Sequence, residues 1–211
     1  MKLYLSSIGI PTPDDLSELL DKPLTEVTVA FIPNANDYYA ERAWSVVTSQ
    51  RVTPLEALGM KVTVVDLRNY HDGAVLEKTL QRYDLIWVTG GNTFLLREEM
   101  RKSGFEQVVK GLLNNGKVYG GNSAGALVAG ESIGGINLES SDPPEYAEEV
   151  IEDGLGLVPY IVVPHVDNSE FSEVMKVVAQ WPDRAKKLIE LKDSQAVIFD
   201  GDKHRVVEAT D

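Results

Sequence analysis

The chain has no cysteine among its 211 residues. That absence excludes disulfide bonds, metal sites built on thiolates and a cysteine nucleophile. Histidine is scarce as well, because His71, His165 and His204 are the only three and lie far apart in the sequence. Such scattered ligands do not indicate a metal site. We therefore expect no metal and no other cofactor, and an activity that is indifferent to chelators and to thiol reagents.

Basic residues are few: 20 lysines and arginines stand against 33 aspartates and glutamates, which leaves a formal net charge of −13. Nucleic-acid binding needs clustered basic side chains that displace counterions from phosphates, and the sequence has no such cluster. It also lacks an apolar run of membrane-spanning length, and its first apolar run soon meets Pro11 and Pro13, unlike a signal peptide. The sequence thus predicts a cytoplasmic protein with neither a nucleic-acid nor a membrane partner.

Apolar runs of strand length alternate with segments of helical period along the chain. The runs are almost continuously apolar, which is typical of parallel strands buried on both faces; they cover residues 3–7, 27–32, 62–67, 85–88, 118–120 and 160–163. The helical segments cover residues 16–20, 39–49, 53–58, 73–81, 93–100, 105–114, 124–129 and 169–180. Residues 195–199 and 205–208 predict a C-terminal β-hairpin. We predict an α/β fold with one domain over residues 1–211, a three-layer sandwich whose mostly parallel sheet has helices on both faces.

The segment Gly121-Asn122-Ser123-Ala124-Gly125 places a serine between two glycines, where an apolar strand meets a small, apolar helix. This pattern is typical of a nucleophile elbow, a sharp turn that holds its serine in strained backbone angles and tolerates only small neighbours. Ser123 is therefore the candidate nucleophile. The alternative is a glycine-rich turn that only packs tightly against a neighbouring element.

Such a serine needs a histidine and a carboxylate beside it. The imidazole takes the hydroxyl proton during attack, and the carboxylate fixes the imidazole tautomer. His165 directly follows the strand at residues 160–163, at the edge of a parallel sheet where sites form, although a strand-end histidine also serves simply to hydrogen-bond the backbone. Glu139 and Asp142 are both candidates for the acid, in the chain order serine, acid, histidine of α/β-hydrolases.

A second glycine pair, Gly90-Gly91, follows the strand at residues 85–88. We expect this backbone to approach the elbow, so that the N–H groups of Gly91 and Ala124 are the two donors to an oxyanion. The residues expected to contact substrate are Gly90, Asn92 and Asn122.

The glycine pair is open to two other interpretations. A phosphate-binding loop is disfavoured, because the chain has no Gly-Lys-Ser/Thr here and the spacing does not fit Gly-x-Gly-x-x-Gly. The other interpretation is a tight turn before a helix that is capped by Asn92 or Thr93.

Three motifs, in this order and spacing, are together similar to those of the peptidase E group of serine peptidases, relatives of cyanophycinase. They are Thr89-Gly90-Gly91-Asn92-Thr93, Gly121-Asn122-Ser123-Ala124-Gly125-Ala126 and Pro164-His165. The similarity runs from Val29-Ala30-Phe31-Ile32-Pro33 to the C-terminal hairpin. It implies a class I glutamine amidotransferase-like fold with serine at the elbow position that cysteine holds in the amidotransferases. It also implies cofactor-free hydrolysis of small peptides, with Ser123 as nucleophile, His165 as base and Glu139 nearest to the place of the acid.

The sequence departs from this group at two points. Members that remove an N-terminal aspartate carry basic residues beyond the histidine, whereas here no arginine follows His165 before Arg184. We therefore expect a weak preference for N-terminal aspartate, unless an arginine reaches the site from another element; the candidates are Arg42, Arg51, Arg68 and Arg97. The group also often has a bulky residue before the serine, where this chain has Asn122, a polar side chain that would line the pocket or donate a hydrogen bond.

These features predict a serine peptidase that hydrolyses short peptides, as a dipeptidase or other exopeptidase, through an acyl-enzyme. Two alternatives stay open: an amide or acyl hydrolase with a non-peptide substrate, and a binding protein of the same fold without catalytic activity. The predicted partner is a small peptide, and a homodimer is the oligomeric form under consideration.

Overall fold

The computed structural model describes residues 1–133, 143–171 and 187–209. Its strands are β1 (Lys2–Ser6), β2 (Thr28–Ile32), β3 (Lys61–Val64), β4 (Leu85–Val88), β5 (Val118–Asn122), β6 (Ile161–Val163), β7 (Leu188–Glu190), β8 (Gln195–Asp200) and β9 (Lys203–Glu208). Seven of them form one sheet in the order β3-β2-β4-β5-β1-β8-β9. The first five strands of that order are parallel, whereas β8 runs antiparallel to β1 and to β9. The mostly parallel sheet and the C-terminal hairpin confirm the predictions.

The helices in the same ranges are α1 (Pro13–Leu20), α2 (Glu41–Ala57), α3 (Gly73–Leu80), α4 (Thr93–Lys102), α5 (Phe105–Asn114) and α6 (Ala124–Leu127). The two segments predicted at 39–49 and 53–58 form a single helix, α2, with Pro54 inside it. Proline has no N–H, so the Gln50 carbonyl loses its helical hydrogen bond. Because Gln50 and Pro54 are both exposed, water can replace that bond. Most of the helix predicted at 169–180 lies outside the described residues. Among the helices that are described, none has the length and hydropathy that a membrane span requires.

Buried side chains cover both faces of the sheet, because successive residues of a strand point to opposite sides. In β2, Ala30 and Ile32 belong to the core on the face that α3, α4, α5 and α6 cover. Val29 and Phe31 belong to the core on the other face, which α1 and α2 cover. This arrangement confirms the predicted helix, sheet and helix layers.

The carboxyl ends of β4, β5 and β1 lie side by side at one edge of the sheet, because these three strands are adjacent and parallel. Residues that follow them are therefore brought together, as is usual for sites in open α/β sheets. Strand β6 was expected in this sheet, but it pairs with β7 in a separate two-stranded parallel sheet. The reason is that β1 already has β5 on one side and β8 on the other.

Candidate active site

The turn between β5 and α6 has the geometry of a nucleophile elbow. Ser123 has a φ of 53° and a ψ of −118°, a conformation that residues with a side chain rarely adopt. Its backbone N–H donates a hydrogen bond of 3.1 Å to the Ser6 carbonyl at the end of β1. The strained turn that the sequence indicates is therefore present at this serine.

Close packing of α6 on the sheet produces this turn. A β-carbon on Gly121 would lie 2.5 Å from the Gly125 carbonyl oxygen, and a β-carbon on Gly125 would collide with the Val88 carbonyl. The buried Tyr119 hydroxyl adds a hydrogen bond of 2.7 Å to the Gly125 carbonyl. The glycines therefore pack tightly and also form the elbow, because only glycine allows α6 to begin so close to the strands.

His165 lies beside Ser123, two residues after the end of β6. Its Nε2 atom is 3.0 Å from the Ser123 Oγ atom. The imidazole stacks on the ring of Phe171, with 4.4 Å between centroids and 16° between planes. The His165 backbone, with a φ of 65°, donates its N–H to the Ser7 Oγ at 2.8 Å. These contacts hold the ring with one nitrogen directed at the serine.

Asp193 supplies a carboxylate to the other ring nitrogen. Its Oδ1 atom lies 2.6 Å from His165 Nδ1 and accepts a hydrogen bond of 2.8 Å from the Ser7 hydroxyl. Its Oδ2 atom accepts a hydrogen bond of 3.0 Å from the Asn168 side-chain amide. Burial by itself raises the pKa of Asp193, but the hydrogen bonds from His165, Ser7 and Asn168 outweigh it and hold the pKa below its usual value. The ionised carboxylate then accepts the Nδ1 proton, which leaves Nε2 free to accept the Ser123 proton.

The sequence prediction placed the acid at Glu139, with Asp142 as the alternative, and both lie outside the described residues. Within those residues, the carboxylate on the histidine ring is that of Asp193, so the chain order is serine, histidine, acid. Parallel pairing of β6 with β7 carries His165 and Asp193 to the same end of the small sheet. The available signal was a carboxylate that closely follows a short segment with the apolar residues Leu188, Ile189 and Leu191.

The loop after β4 and the elbow after β5 each bring one backbone N–H group to the site. Gly91 and Ala124 both line the cavity in front of Ser123, and neither N–H is hydrogen-bonded to another described residue. Gly91 has a φ of 148°, and a β-carbon on it would collide with the Ala35 carbonyl. The Asn36 side-chain amide donates a hydrogen bond of 3.0 Å to the Gly90 carbonyl and so holds this loop. Both N–H groups are thus available as donors, and their oxyanion role stays a prediction.

The two asparagines expected to contact substrate differ in their environments. The Asn92 Oδ1 caps α4 by accepting the Leu95 N–H at 2.8 Å, and its Nδ2 donates to the Pro143 carbonyl at 2.8 Å. We therefore assign Asn92 to positioning, as the helix-cap interpretation anticipated. The Asn122 side chain lines the cavity and forms no hydrogen bond with the rest of the described chain, so its amide is available to a ligand.

The segment at residues 143–149, here called the strap, forms one wall of the site. Tyr146 in the strap stacks on Tyr38, with 5.0 Å between ring centroids and 8° between planes. The buried Glu98 carboxylate accepts the backbone N–H groups of Glu148 at 3.2 Å and Glu149 at 3.0 Å. These bonds and the Asn92 contact fasten the strap to α4, so its residues Pro143 and Tyr146 are held in the cavity wall.

The cavity in front of Ser123 has a volume of about 560 Å³. That volume lies within the usual range for small-molecule sites. Its described lining includes the serine, the histidine and one arginine, Arg51, but no aspartate or glutamate. The cavity therefore offers a nucleophile and a cationic group to its ligand.

Asp193 should stabilise the fold more at neutral pH than in acid. Because its pKa is lower in the folded state, the stabilisation is fully present above the unfolded pKa of about 4 and is lost as the pH falls through the folded pKa. The side chain is partly exposed and screened by water, so we expect at most about 1 kcal/mol. The melting temperatures of the wild type and of Asp193→Asn, measured from pH 2 to pH 7, should differ most near neutrality. A difference that is independent of pH would contradict this.

Comparison with known proteins gives the family. Peptidase family S51 matches residues 10–207 of the chain. An uncharacterized peptidase of Listeria innocua is 32% identical over 173 residues, which are 81% of this chain and 79% of the relative. Peptidase E of Haemophilus influenzae is 31% identical over 139 residues, which are 65% of this chain and 57% of that protein.

Solved structures agree with this family. The crystal structure of a Listeria monocytogenes protein provisionally assigned as a peptidase E superposes with a TM-score of 0.82 and 25% identity, covering 99% of this chain and 98% of that one. A peptidase from an acI-B1 actinobacterium has the same fold, with a TM-score of 0.69 and 19% identity over 98% of this chain and 87% of that one. Together with the elbow and its serine, these similarities show that the chain belongs to peptidase family S51, in the peptidase E group, and is a serine-type peptidase.

Proposed function

We propose that this peptidase hydrolyses short peptides, as a dipeptidase or other exopeptidase, through an acyl-enzyme formed on Ser123. The observation that supports the proposal most is the unbroken hydrogen-bonded series Ser123, His165 and Asp193, with 3.0 Å and 2.6 Å between the interacting atoms. In this series the serine is the nucleophile, the histidine the general base and the aspartate the residue that orients it.

The reaction follows from these positions. The Ser123 Oγ attacks the carbonyl carbon of the peptide bond while its proton passes to His165 Nε2, and Asp193 stabilises the imidazolium. Negative charge develops on the carbonyl oxygen, which the N–H groups of Gly91 and Ala124 would stabilise. The C–N bond then breaks as Nε2 returns the proton to the leaving amine. A water molecule hydrolyses the acyl-enzyme by the same steps in reverse order.

Restriction to short substrates is supported by the walls of the cavity. The strap, the loop at Gly90-Gly91 and the stacked rings of Tyr38 and Tyr146 border a volume of about 560 Å³. A folded polypeptide does not fit such a space, whereas a dipeptide does. Asn122 offers its amide to the substrate backbone inside this cavity.

A screen separates this proposal from its two alternatives. The purified protein is incubated with a dipeptide library and, in parallel, with simple amides and esters, and the products are identified by mass spectrometry. Cleavage of dipeptides supports the proposal, and cleavage of only the non-peptide compounds favours the other hydrolase. A protein that cleaves none of them and is not labelled at Ser123 by a small acylating probe would be a binding protein.

Gly90→Ala is expected to lower kcat/KM by about 10²-fold or more. A β-carbon at this position would lie 2.7 Å from the Ser123 Cβ and 3.1 Å from its Oγ, so the nucleophile would have to move. The matched control is Gly111→Ala in α5, where a β-carbon meets no atom within 4 Å. Activity assays and melting curves of both variants test this, and an active Gly90→Ala enzyme would show that the loop yields without moving the serine.

Several sequence expectations stay predictions. They are the cytoplasmic location, the homodimer, the single domain over residues 1–211 and the absence of a nucleic-acid or membrane partner. Independence of metals and cofactors is likewise a prediction, which turnover in the presence of a chelator tests.

A further inference from the structure

We propose that Arg51 is a substrate-binding residue that pairs with a carboxylate of the peptide substrate; this inference rests on the proposed function. Arg51 belongs to α2, far from the elbow in the sequence, yet its side chain lines the same cavity as Ser123 and His165. No other arginine or lysine of the described residues lines this cavity.

The guanidinium of Arg51 forms no hydrogen bond and no ion pair with the residues that the structure describes. Its Nε atom is buried without a hydrogen bond, and no carboxylate in the described ranges forms an ion pair with it. Arg97 is buried and Arg101 is half-buried, and both are paired with carboxylates: Arg97 lies 2.5 Å from an oxygen of Glu106, and Arg101 lies 2.9 Å from an oxygen of Glu149. Arg51 thus lines the cavity without the carboxylate partner that these two arginines have in the described ranges.

An unpaired cation in a partly buried site is unfavourable unless an anion completes it. The protein has a formal net charge of −13, yet no acidic residue is part of the described cavity wall. Burial, together with the adjacent Tyr39, raises the pKa of Tyr38 to about 12, so this neighbouring phenol stays neutral. A carboxylate of the ligand would neutralise this cation.

A carboxylate matches the guanidinium best, because both groups are planar and form two parallel hydrogen bonds. A short peptide offers two such groups, its C-terminal carboxylate and the side chain of an acidic residue. Either one would anchor the substrate in the cavity, and the first is present in every dipeptide. The weak preference expected for N-terminal aspartate depends on the lack of arginine in the segment after His165. Arg51 comes from a different element, α2, so it would supply the cation that this segment lacks.

Two substrate pairs test the proposal and identify the carboxylate. Ala-Ala is compared with Ala-Ala-amide, which lacks the C-terminal charge, and Asp-Ala is compared with Asn-Ala, which lacks the side-chain charge. For at least one pair, Arg51→Met should lower kcat/KM of the charged member by about 10- to 100-fold and leave its neutral partner nearly unchanged. Arg51→Lys should restore only part of the loss, since an ammonium cannot form the paired bonds.

Arg42→Met is the matched control, because Arg42 is an exposed arginine of the same helix. It should not alter either pair. Equal losses of the charged and neutral members in both pairs, or no loss in either, would overturn the role of Arg51.

Binding separates this inference from the proposed function. Calorimetry with the Ser123→Ala protein measures the affinity for the same four compounds without turnover. A preference for a charged member that Arg51→Met abolishes supports the inference even if the wild type cleaves no peptide, in which case only the proposed function fails. Equal affinity for the charged and neutral members of both pairs overturns the inference even if peptides are cleaved.

Discussion

Replacing Ser123 by alanine is expected to lower peptide hydrolysis by about 10⁴-fold or more, and His165→Ala should have an effect of similar size. Both residues act in one proton transfer, with 3.0 Å between Oγ and Nε2, so the loss of either partner stops the reaction. The measurement is kcat/KM for a dipeptide that the wild type cleaves, together with a circular dichroism spectrum that shows the fold of each variant.

The double variant provides a further check on this prediction. Because the two residues act as a unit, removing both should cost little more than removing one. Ser45→Ala, at an exposed serine of α2, is the control and should retain full activity. A Ser123→Ala or His165→Ala enzyme with a tenth of the wild-type turnover would contradict the assigned roles.

Asp193→Asn should be the next most damaging change, with a loss of about 10⁴-fold in kcat. The asparagine amide has nearly the shape of the carboxylate, but it is neutral. It therefore cannot stabilise the positive charge that forms on the His165 ring. An amide N–H beside Nδ1 needs an acceptor there, so it favours the imidazole tautomer that carries its proton on Nε2. In that tautomer Nε2 cannot accept the Ser123 proton. Steady-state kinetics at neutral pH measures the effect.

Parallel variants of Glu139 and Asp142 decide between the acids. If Asp193 orients the histidine, Glu139→Gln and Asp142→Asn should keep most of the wild-type kcat while Asp193→Asn loses it. Full activity in Asp193→Asn combined with an inactive Glu139→Gln would return the role to the residue that the sequence favoured.

Local patterns were sufficient for much of the fold and part of the site. The glycines around Ser123 predict the elbow, because their spacing reflects a steric need of the turn itself. The apolar runs predict the parallel sheet, since strands buried on both faces have few polar residues. The same local pattern predicts a helix cap at Asn92 or Thr93, and the hydrogen bonds of Asn92 show that it is the cap and also fastens the strap.

Other site residues have no local signature. Ser7 follows β1 and has no motif around it, yet its hydroxyl contacts both the His165 ring and the Asp193 carboxylate. Arg51 lies in the middle of a helix and reaches the cavity only because α2 packs at its edge. Their importance depends on elements that are distant in the sequence and adjacent in the fold.

The sequence by itself determined the family, the sheet with its two helical layers, the strained serine turn and the histidine at a strand end. Each of these depends on residue types at short spacing, because backbone strain, burial and strand edges are local properties. Only the tertiary structure decided which carboxylate meets the histidine and which arginine enters the cavity. Those choices depend on the pairing of β6 with β7 and on the packing of α2, and such long-range contacts leave no periodic pattern in the chain.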